Sequence, residues 1–332
     1  MLSTTFTQRF GLDHPIIQAG MGNDCGAELA AAVSNAGALG TIGSIGRTPD
    51  NLHDEIRRCR ELTDRPFAVN VVTWKWAPFA QVLLDVAIEE RVPSVTISFG
   101  DPIPALKACQ QARIPAVVQV QDVAGLRAAI EARPDAIAVQ GNEAGGHTGS
   151  RGTLSFAAQA LDLAGDIPVL IAGGIADGRG LAAVLAMGGA GAIMGTRFKA
   201  TNEFGLAAPH SAAQKQAIVG SDGSNTLWDE IFDEAYGMEW PNGIEGRALR
   251  SKFTEEWKGR SEELRQAVDA AGKPFGFVAQ LAQSPETVVN WAGESSGLVR
   301  DVLPAAEVVE RTARQAEELL QAAARTILGV RA

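Results

Sequence analysis

The sequence predicts an α/β protein, an eight-stranded TIM (β/α)8 barrel with a mainly helical insertion in its last βα connection. Over roughly the first 200 residues, short segments that are apolar on both faces alternate with helical patterns, and this alternation stops beyond Lys199. Strands that are buried on both faces are typical of parallel sheets. Eight such units in a stretch of this length fit a closed barrel better than an open doubly wound sheet.

The predicted strands are Pro15–Ala19, Ala38–Gly43, Phe67–Val72, Ser94–Ser98, Ala116–Val120, Ala136–Gln140, Pro168–Ala172 and Ala192–Met194. The predicted helices between them are Ala27–Asn35, Asn51–Leu62, Ala77–Glu90, Pro104–Ala112, Val123–Glu131 and Arg179–Met187. The first strand is followed by Gly20, Met21 and Gly22. This turn lacks the GxGxxG fingerprint that would be expected after the first strand of an open dinucleotide-binding sheet.

The second region, residues 210–295, holds several tryptophans and the only tyrosine, Tyr236. Two helices are predicted there, Ser251–Ala271 and Phe275–Leu281. The barrel still needs its eighth outer helix, which the amphipathic stretch Pro304–Leu328 can supply. We therefore predict a barrel made of residues 1–209 and 296–332. Residues 210–295 would form a helical cap over the end of the barrel where active sites are built.

Composition and charge narrow the class of protein. The chain has 332 residues, of which 46% are hydrophobic and 20% charged, so it can bury a large core. A net charge of −10 without basic runs argues against nucleic acid and anionic membranes as partners. The three cysteines are widely spaced and form no metal-binding or disulfide pattern. Neither a signal sequence nor a long apolar span is evident, so we expect a soluble cytoplasmic protein.

Glycines follow the last two predicted strands. Gly173 and Gly174 come after the seventh strand, and Gly195 and Thr196 come after the eighth. Backbone N–H groups that no Cβ obstructs can converge on an anion, and TIM barrels usually bind phosphate at these two loops. We predict a phosphate site here, with the Thr196 hydroxyl as a further donor. The alternative is that these glycines only make tight turns.

His147 is the predicted catalytic residue. It lies in the segment EAGGHTG after the sixth strand, whereas the other three histidines lie in a turn, a helical stretch and a loop. An imidazole titrates near neutrality, so it can remove a proton from a substrate or, when protonated, stabilise an anion. The alternative is a histidine that only holds its loop by hydrogen bonds. Glu143 could orient the ring or lie on the surface, and the sequence does not choose between the two.

Amide side chains end several of the predicted strands. Asn70 ends the third strand, where a buried amide must bond either a neighbouring loop or a ligand. Gln119 ends the fifth strand and can also bond a ligand. Gln140 ends the sixth strand and Gln18 the first. Both are open to a structural role, and Gln18 is not assigned to the site.

Six motifs in order resemble the nitronate monooxygenase family, formerly called 2-nitropropane dioxygenases, which also includes FMN-dependent enoyl-ACP reductases. They are PIIQAGM at 15–21, AVSNAGALGTIG at 32–43, LTDRPFAVNV at 62–71, GNEAGGHTG at 141–149, AGGIADGRG at 172–180 and MGTRF at 194–198. The segment AGESSG at 292–297 extends the similarity. Such an ordered series is more specific than any single glycine-rich loop.

The resemblance implies a TIM barrel that binds FMN without covalent attachment. The implied cofactor-binding residues are Gly20, Met21, Gly22, Asn70, Gln119, Gly145, Gly146, Gly173, Gly174, Gly195 and Thr196. Gln119 stands where some relatives carry a lysine, so it supplies no positive charge to the ring. Ser295 and Ser296 match a late loop that approaches the flavin in relatives. No metal is implied.

The function that the resemblance predicts is that of an FMN-dependent oxidoreductase, a nitronate monooxygenase that oxidises alkyl nitronates with O2 to carbonyl compounds and nitrite. The expected partners are a small-molecule substrate and O2, and a homodimer is left open. Better-defined nitronate oxidisers line their pocket with several tyrosines, whereas this chain has only Tyr236. Trp74, Trp76 and the tryptophans of the cap are expected to fill that space.

Two other functions fit the same residues. An NAD(P)H-dependent flavin reductase acting on an enoyl thioester or a quinone would use EAGGHTG equally well. A flavin-free TIM-barrel lyase or isomerase would use the glycine loops for a phosphate of its substrate. The sequence has no HExxH, GxSxG or P-loop motif that would indicate a different chemistry.

Overall fold

A computed structural model describes residues 2–74, 80–272 and 275–329. The strands in this part of the chain are β1 (Ile16–Gln18), β2 (Gly40–Gly43), β3 (Phe67–Val72), β4 (Ser94–Ser98), β5 (Ala116–Val120), β6 (Ala136–Gln140), β7 (Gly146–Thr148), β8 (Val169–Ala172), β9 (Gly191–Met194), β10 (Thr226–Asp229) and β11 (Glu245–Leu249). Eight of them form one parallel sheet in the order β1-β9-β8-β6-β5-β4-β3-β2. This sheet is the predicted barrel, and all eight predicted strands are confirmed.

The barrel closes between β1 and β2, where a side chain supplies one of the hydrogen bonds between the two strands. Ile17 and Leu39 form one parallel bridge across the seam. The fully buried Gln18 accepts a hydrogen bond from the backbone N–H of Thr41 through its Oε1 atom, at 2.8 Å. A buried backbone N–H needs a partner, and the amide oxygen supplies it where β1 is too short to continue the ladder. Gln18 is therefore a structural residue.

The helices within the described residues are α1 (Thr5–Phe10), α2 (Ala27–Asn35), α3 (Pro49–Leu62), α4 (Ala80–Glu89), α5 (Ile103–Ala112), α6 (Val123–Ala132), α7 (Thr153–Leu163), α8 (Gly178–Ala186), α9 (Thr196–Lys199), α10 (Ser211–Val219), α11 (Ile231–Tyr236), α12 (Lys252–Trp257), α13 (Ser261–Ala270), α14 (Gly276–Leu281) and α15 (Ala305–Leu328). The predicted barrel helices are found within a few residues of their expected ends. Residues 77–79 of one predicted helix lie outside the described residues. The sequence patterns did not identify α1 and α7.

The long C-terminal helix α15 completes the outer ring by packing between α8 and α2. The two helices α15 and α8 approach so closely that only a glycine fits at the contact point on α8. A Cβ atom at Gly178 would lie 2.5 Å from the backbone nitrogen of Ala316. The same contact is tied by a hydrogen bond from the Gly178 N–H to Oε1 of Gln315 at 2.8 Å. The predicted eighth outer helix is thus confirmed.

Helix α1 fills the N-terminal end of the barrel. Phe6 and Phe10 are buried, and they join a cluster of residues that point into the barrel interior. Thr4 caps the helix and also donates a hydrogen bond from its hydroxyl to the carbonyl of Ala190, at 2.7 Å, just before β9 begins. With this end filled by aromatic rings, a binding site can open only at the opposite end, where the strands terminate.

The chain between β9 and α15 is mainly helical, as predicted, but it also contains a small antiparallel sheet. Strand β11 pairs with β10 on one side and with β7 on the other, so that Gly246 lies opposite His147. The predicted helix Ser251–Ala271 is wrong as a single helix. It is divided into α12 and α13 around Gly259, whose φ of +78° is a left-handed conformation that interrupts a helix.

The proposed domain boundaries at residues 209 and 295 stay a prediction. They follow from the change in sequence pattern. The pairing of β7 with β11 shows that backbone hydrogen bonds link the barrel part of the chain to residues 210–295. Within the described part of the chain, no helix combines the length and the apolar character that crossing a bilayer requires.

Candidate active site

One cavity of about 690 Å³ lies at the C-terminal ends of the barrel strands, and elements of residues 210–295 line its outer side. Every residue that the sequence assigned to the site lines this cavity: Gly20, Met21, Gly22, Asn70, Gln119, Gly145, Gly146, His147, Gly173, Gly174, Gly195 and Thr196. Their positions are those expected when the carboxyl ends of parallel strands meet at one face. Their individual roles stay predictions.

The glycines after β8 and the glycine after β9 are suited to their positions for different reasons. Gly173 and Gly174 have φ values of +109° and +73°, which other residues rarely adopt. Gly195 has an ordinary φ of −105°. A Cβ atom there would meet only Ala19 and Met21, at 3.6 Å and 3.7 Å, which are normal contact distances. None of the described atoms requires a glycine at position 195, so the space in front of it is open to a ligand in the cavity.

The segment that follows the insertion closes over this end of the cavity. The Thr196 hydroxyl oxygen accepts a hydrogen bond from the backbone N–H of Gly293 at 3.0 Å, and its own hydrogen can still be donated. Of the two serines in this segment, Ser295 lines the cavity. Ser296 is fully buried and bonds the hydroxyl of Ser221 at 2.8 Å, so it does not face the site.

Asn70 is held in one orientation by the neighbouring strand. Its amide nitrogen donates to the hydroxyl and carbonyl oxygens of Thr96, at 3.0 Å and 3.2 Å, and to the hydroxyl of Ser98 at 3.1 Å. Its amide oxygen has no hydrogen bond to any residue that the structure describes. Gly20 allows the backbone to pass next to it, because a Cβ there would lie 2.3 Å from the Cβ of Asn70. Asn70 therefore offers an acceptor to a ligand.

Three glutamines form a neutral cluster at the ends of β5 and β6. The amide nitrogens of Gln119 and Gln121 both donate to Oε1 of Gln140, at 3.0 Å and 3.1 Å. Gln119 and Gln140 also line the cavity. The cluster can hydrogen-bond a ligand, but it brings no charge to this wall.

His147 is paired with an acidic residue that the sequence patterns did not identify. Its Nε2 atom lies 2.5 Å from Oδ1 of Asp233, on α11, and both side chains are largely buried. The indole of Trp240 stacks on the imidazole with 3.8 Å between ring centroids. Opposite His147 on β11, Gly246 leaves the room that the ring of Trp291 fills, since a Cβ there would lie 2.7 Å from that ring.

Burial raises the pKa of Asp233, and the hydrogen bond from His147 opposes that shift. Glu143, the other carboxylate considered as a partner of His147, bonds elsewhere. It accepts hydrogen bonds from the backbone N–H of Thr153, at 2.9 Å, and from the Thr153 hydroxyl, at the start of α7. Glu143 is therefore a structural residue, and Asp233 is the carboxylate that contacts the imidazole.

Aromatic side chains form part of the outer side of the cavity, and the expectation that tryptophans take the place of the family's tyrosines stays a prediction. Tyr236, Trp240 and Trp291 line the cavity. Trp74 lies beside β3 and donates from its indole to the carbonyl of Glu239 at 2.7 Å, which links this loop to the outer wall. Trp76 lies outside the described residues.

These features define an enzyme of the (β/α)8-barrel class with its site at the C-terminal ends of the strands. A sequence model described as nitronate monooxygenase matches residues 3–314, and the chain belongs to this family. Members of the family are in general flavin enzymes. The family and the names of its members make the chain an oxidoreductase that acts on small molecules.

Relatives within the family differ in their names. A probable nitronate monooxygenase of Staphylococcus saprophyticus is 30% identical, over 96% of this chain and 99% of its own length. A (3aS,4S,5R,7aS)-5-hydroxy-7a-methyl-1-oxo-octahydro-1H-indene-4-carboxyl-CoA dehydrogenase of Rhodococcus jostii is 41% identical, but over 61% of this chain and 56% of its own length. Among solved structures, FabK from Thermotoga maritima matches with a TM-score of 0.85 at 30% identity, covering 97% of this chain and 98% of FabK.

Proposed function

We propose that the protein is an FMN-dependent nitronate monooxygenase that oxidises alkyl nitronates with O2 to carbonyl compounds and nitrite. One observation carries this proposal: His147, held by Asp233, lines the same cavity as the glycine loops after β8 and β9. Membership of the family and the similarity to a probable nitronate monooxygenase support the substrate class.

The residues of the barrel wall fit FMN. Gly173, Gly174, Gly195 and Thr196 would hold its phosphate through backbone N–H groups and one hydroxyl. The amide oxygen of Asn70 is free to accept a hydrogen bond from the polar edge of the ring. When bound, FMN supplies the electron-accepting chemistry that amino-acid side chains lack.

His147 would handle the proton. With Asp233 ionised, Nε2 donates to the carboxylate, and Nδ1 is the basic atom of the ring. This atom has no hydrogen bond to any described residue. It can remove the α-proton of a neutral nitroalkane, and the Asp233 carboxylate then stabilises the imidazolium that forms. The aromatic ring of Trp240 covers one face of the imidazole and keeps water from it.

The test separates proton removal from oxidation. In His147→Ala, activity on a neutral nitroalkane should fall by about 10²-fold or more, which is the usual contribution of a general base. Activity on a preformed nitronate should fall less, because its proton is already gone. FMN content should match the wild type. His53→Ala is the matched control, since His53 also pairs with a carboxylate, Glu90, but lies outside the cavity.

Two outcomes would contradict this role. Equal activity of the variant and the wild type on both substrates would remove His147 from catalysis. Loss of bound FMN from the variant would instead make His147 a residue that holds the loop around β7.

A second candidate is an NAD(P)H-dependent flavin reductase that acts on an enoyl thioester or a quinone. The relative named as a carboxyl-CoA dehydrogenase favours it, because its name specifies a thioester substrate. Anaerobic reduction of the flavin would be followed in parallel with propyl nitronate, NADH and NADPH. Rapid bleaching by NADH or NADPH, without bleaching by the nitronate, would replace the first proposal with the second.

A further inference from the structure

Phe99 has a backbone conformation that phenylalanine rarely adopts. Its φ is +59°, in the left-handed region where a Cβ atom crowds the backbone. Arg91, Arg113 and Arg133 also have positive φ values, but they follow helices, where a left-handed residue is a common ending. Phe99 instead follows the strand β4. Strain of this kind persists where the surrounding structure holds the residue in place, and it is frequent in active sites.

The loop after β3 fixes this conformation. The backbone N–H of Thr73 donates to the carbonyl of Ser98 at 3.0 Å, and the Thr73 hydroxyl donates to the carbonyl of Phe99. Gly100 is also left-handed, with a φ of +68°, and a Cβ atom there would lie 2.9 Å from the carbonyl oxygen of Thr73. Positions with positive φ usually hold glycine or asparagine. A phenylalanine at position 99 therefore points to a requirement for its ring.

The ring of Phe99 stands across the stacked pair of Trp240 and His147, and it lines the cavity. Its plane makes an angle of 81° with the indole of Trp240, with 4.8 Å between the centroids. It makes an angle of 84° with the imidazole of His147, at 6.3 Å. Edge-to-face contacts of this kind are favourable between aromatic rings. The contact with the indole is the closer of the two.

Trp240 lies in the segment 237–244, which joins α11 to β11 and whose residues are half-buried or exposed. Two loops of the barrel reach this segment. Trp74, after β3, donates to the carbonyl of Glu239 at 2.7 Å, and Phe99, after β4, packs on Trp240. Because Thr73 bonds these two loops to each other, they contact the segment as one unit.

We propose that Phe99 is a positioning residue that keeps the indole of Trp240 stacked on His147 and thereby fixes the imidazole in the cavity. The left-handed backbone brings the phenylalanine ring to this place. Phe99 acts through Trp240 and needs no contact with the substrate. The inference rests on the proposed function in taking His147 as the base, but the stacking can be measured without turnover.

Two substitutions separate the ring of Phe99 from its backbone. Phe99→Ala removes the ring and keeps a Cβ atom at a positive φ, whereas Phe99→Gly removes both. Glycine adopts a positive φ without a steric cost, so Phe99→Gly should unfold at a higher denaturant concentration than Phe99→Ala. Both variants should lose the same amount of activity. Activity would then follow the ring, and stability would follow the backbone.

The experiment records the ring-proton NMR signals of the histidines in the FMN-loaded protein. The chain has four histidines, so the signals can be assigned by single substitutions. The ring current of a stacked indole shifts the imidazole protons upfield. In both Phe99 variants, the His147 signals should therefore move downfield, toward their positions in Trp240→Leu. The kcat/KM for a neutral nitroalkane should fall by about 2- to 10-fold, as expected for the loss of one aromatic contact.

The double variant Phe99→Ala/Trp240→Leu tests whether Phe99 acts through Trp240. Residues that act as a unit have non-additive effects. The double variant should therefore match Trp240→Leu alone, both in the His147 signals and, within about twofold, in kcat/KM for the nitroalkane.

Phe277→Leu is the matched control for the loss of an aromatic contact. Phe277 also packs edge to face on a tryptophan, Trp257, with 5.7 Å between the centroids and an angle of 84°. Neither of these two residues lines the cavity. The control should leave the His147 signals and the activity unchanged.

Unchanged His147 signals in both Phe99 variants would overturn the inference, because the stack would then not depend on Phe99. Additive losses in the double variant would show that Phe99 acts independently of Trp240. Lower stability of Phe99→Gly than of Phe99→Ala would refute the cost assigned to the backbone. A protein that shows the expected signals and stabilities but oxidises no nitroalkane would contradict only the proposed function.

Discussion

The two walls of the cavity are built differently. The barrel wall consists of backbone at glycines such as Gly195 and of neutral amides such as Asn70, which is held in place by hydrogen bonds that it donates to the neighbouring strand. The outer wall supplies the ionisable and aromatic groups Asp233, Tyr236 and Trp240. Apart from Asp24, Arg47 and Lys199, which also line the cavity, the barrel wall offers shape and neutral hydrogen-bonding groups, which suit a cofactor. The outer wall offers charge and rings, which suit a reacting substrate.

His147 belongs to both walls. By sequence it follows a barrel strand, but through β7 it is a strand residue of the outer sheet, and its partner Asp233 lies on α11. A change in the outer wall can therefore alter proton transfer without touching the residues that would hold FMN. Substitutions of Gly195, Asp233 and Trp240 test this separation, and we expect their effects to decrease in that order.

The largest effect is expected on the barrel wall, from Gly195→Val. The backbone at this position has a φ of −105°, a negative value that residues other than glycine adopt, so the protein should fold. The side chain would then occupy the space in front of residue 195, and the purified variant should be colourless. FMN would be quantified after denaturation. Gly174 is a poorer test, because its φ of +73° would strain any other residue.

Gly152→Val is the control for this experiment. Gly152 also has an ordinary φ, −66°, but lies outside the cavity lining. The Gly152→Val variant should keep its FMN. Normal FMN content in Gly195→Val would refute the phosphate site on the loop after β9.

A smaller effect is expected on the outer wall, from Asp233→Asn. The change keeps the shape of the side chain but removes the charge that stabilises protonated His147. A hydrogen bond to a charged group contributes about 1.5–3 kcal/mol, so the rate with a neutral nitroalkane should fall by about 10- to 100-fold. The rate with a preformed nitronate and the FMN content should change little, and both would be measured on the same preparation.

Glu234→Gln provides the control for Asp233→Asn on the same helix. Glu234 forms an ion pair with Arg265 at 2.6 Å and does not line the cavity. The Glu234→Gln variant should turn over both substrates at the wild-type rate. Equal losses on nitroalkane and nitronate in Asp233→Asn would show that this carboxylate holds the outer wall together rather than positioning the base.

The smallest effect is expected from Trp240→Leu. The indole of Trp240 stacks on His147 with an angle of 16° between the rings. Stacked aromatic pairs contribute about 0.5–1.5 kcal/mol beyond burial, so kcat/KM for the nitroalkane should fall by about 2- to 10-fold. Steady-state kinetics would measure this. A loss as large as that of His147→Ala would instead mean that the ring orientation depends on Trp240 more than on Asp233.

The pattern of short apolar strands predicts the barrel and locates the end of the barrel that holds the cavity. Short strands that are apolar on both faces require a parallel sheet, and the ends of parallel strands meet at one face. For this reason, the loops at Gly173 and Gly195 could be assigned to one face from the strand pattern, whereas Gly20 was assigned through the family resemblance. The amphipathic pattern of α15 similarly predicted the last outer helix.

The outer wall depends on contacts between residues that are distant in the sequence. Asp233 and His147 are 86 residues apart, and no local pattern marks a lone aspartate on a short helix as the partner of an imidazole. Strands β10 and β11 could not be predicted, because such short segments with mixed charges have no clear periodicity. Lys199 lines the cavity, is only 5% exposed and donates to the backbone carbonyl of Trp291. This burial could not be assigned from the sequence, because a lysine at a helix end is usually solvated. Whether it is buried depends on where the segment around Trp291 packs, and that is decided by contacts between distant parts of the chain.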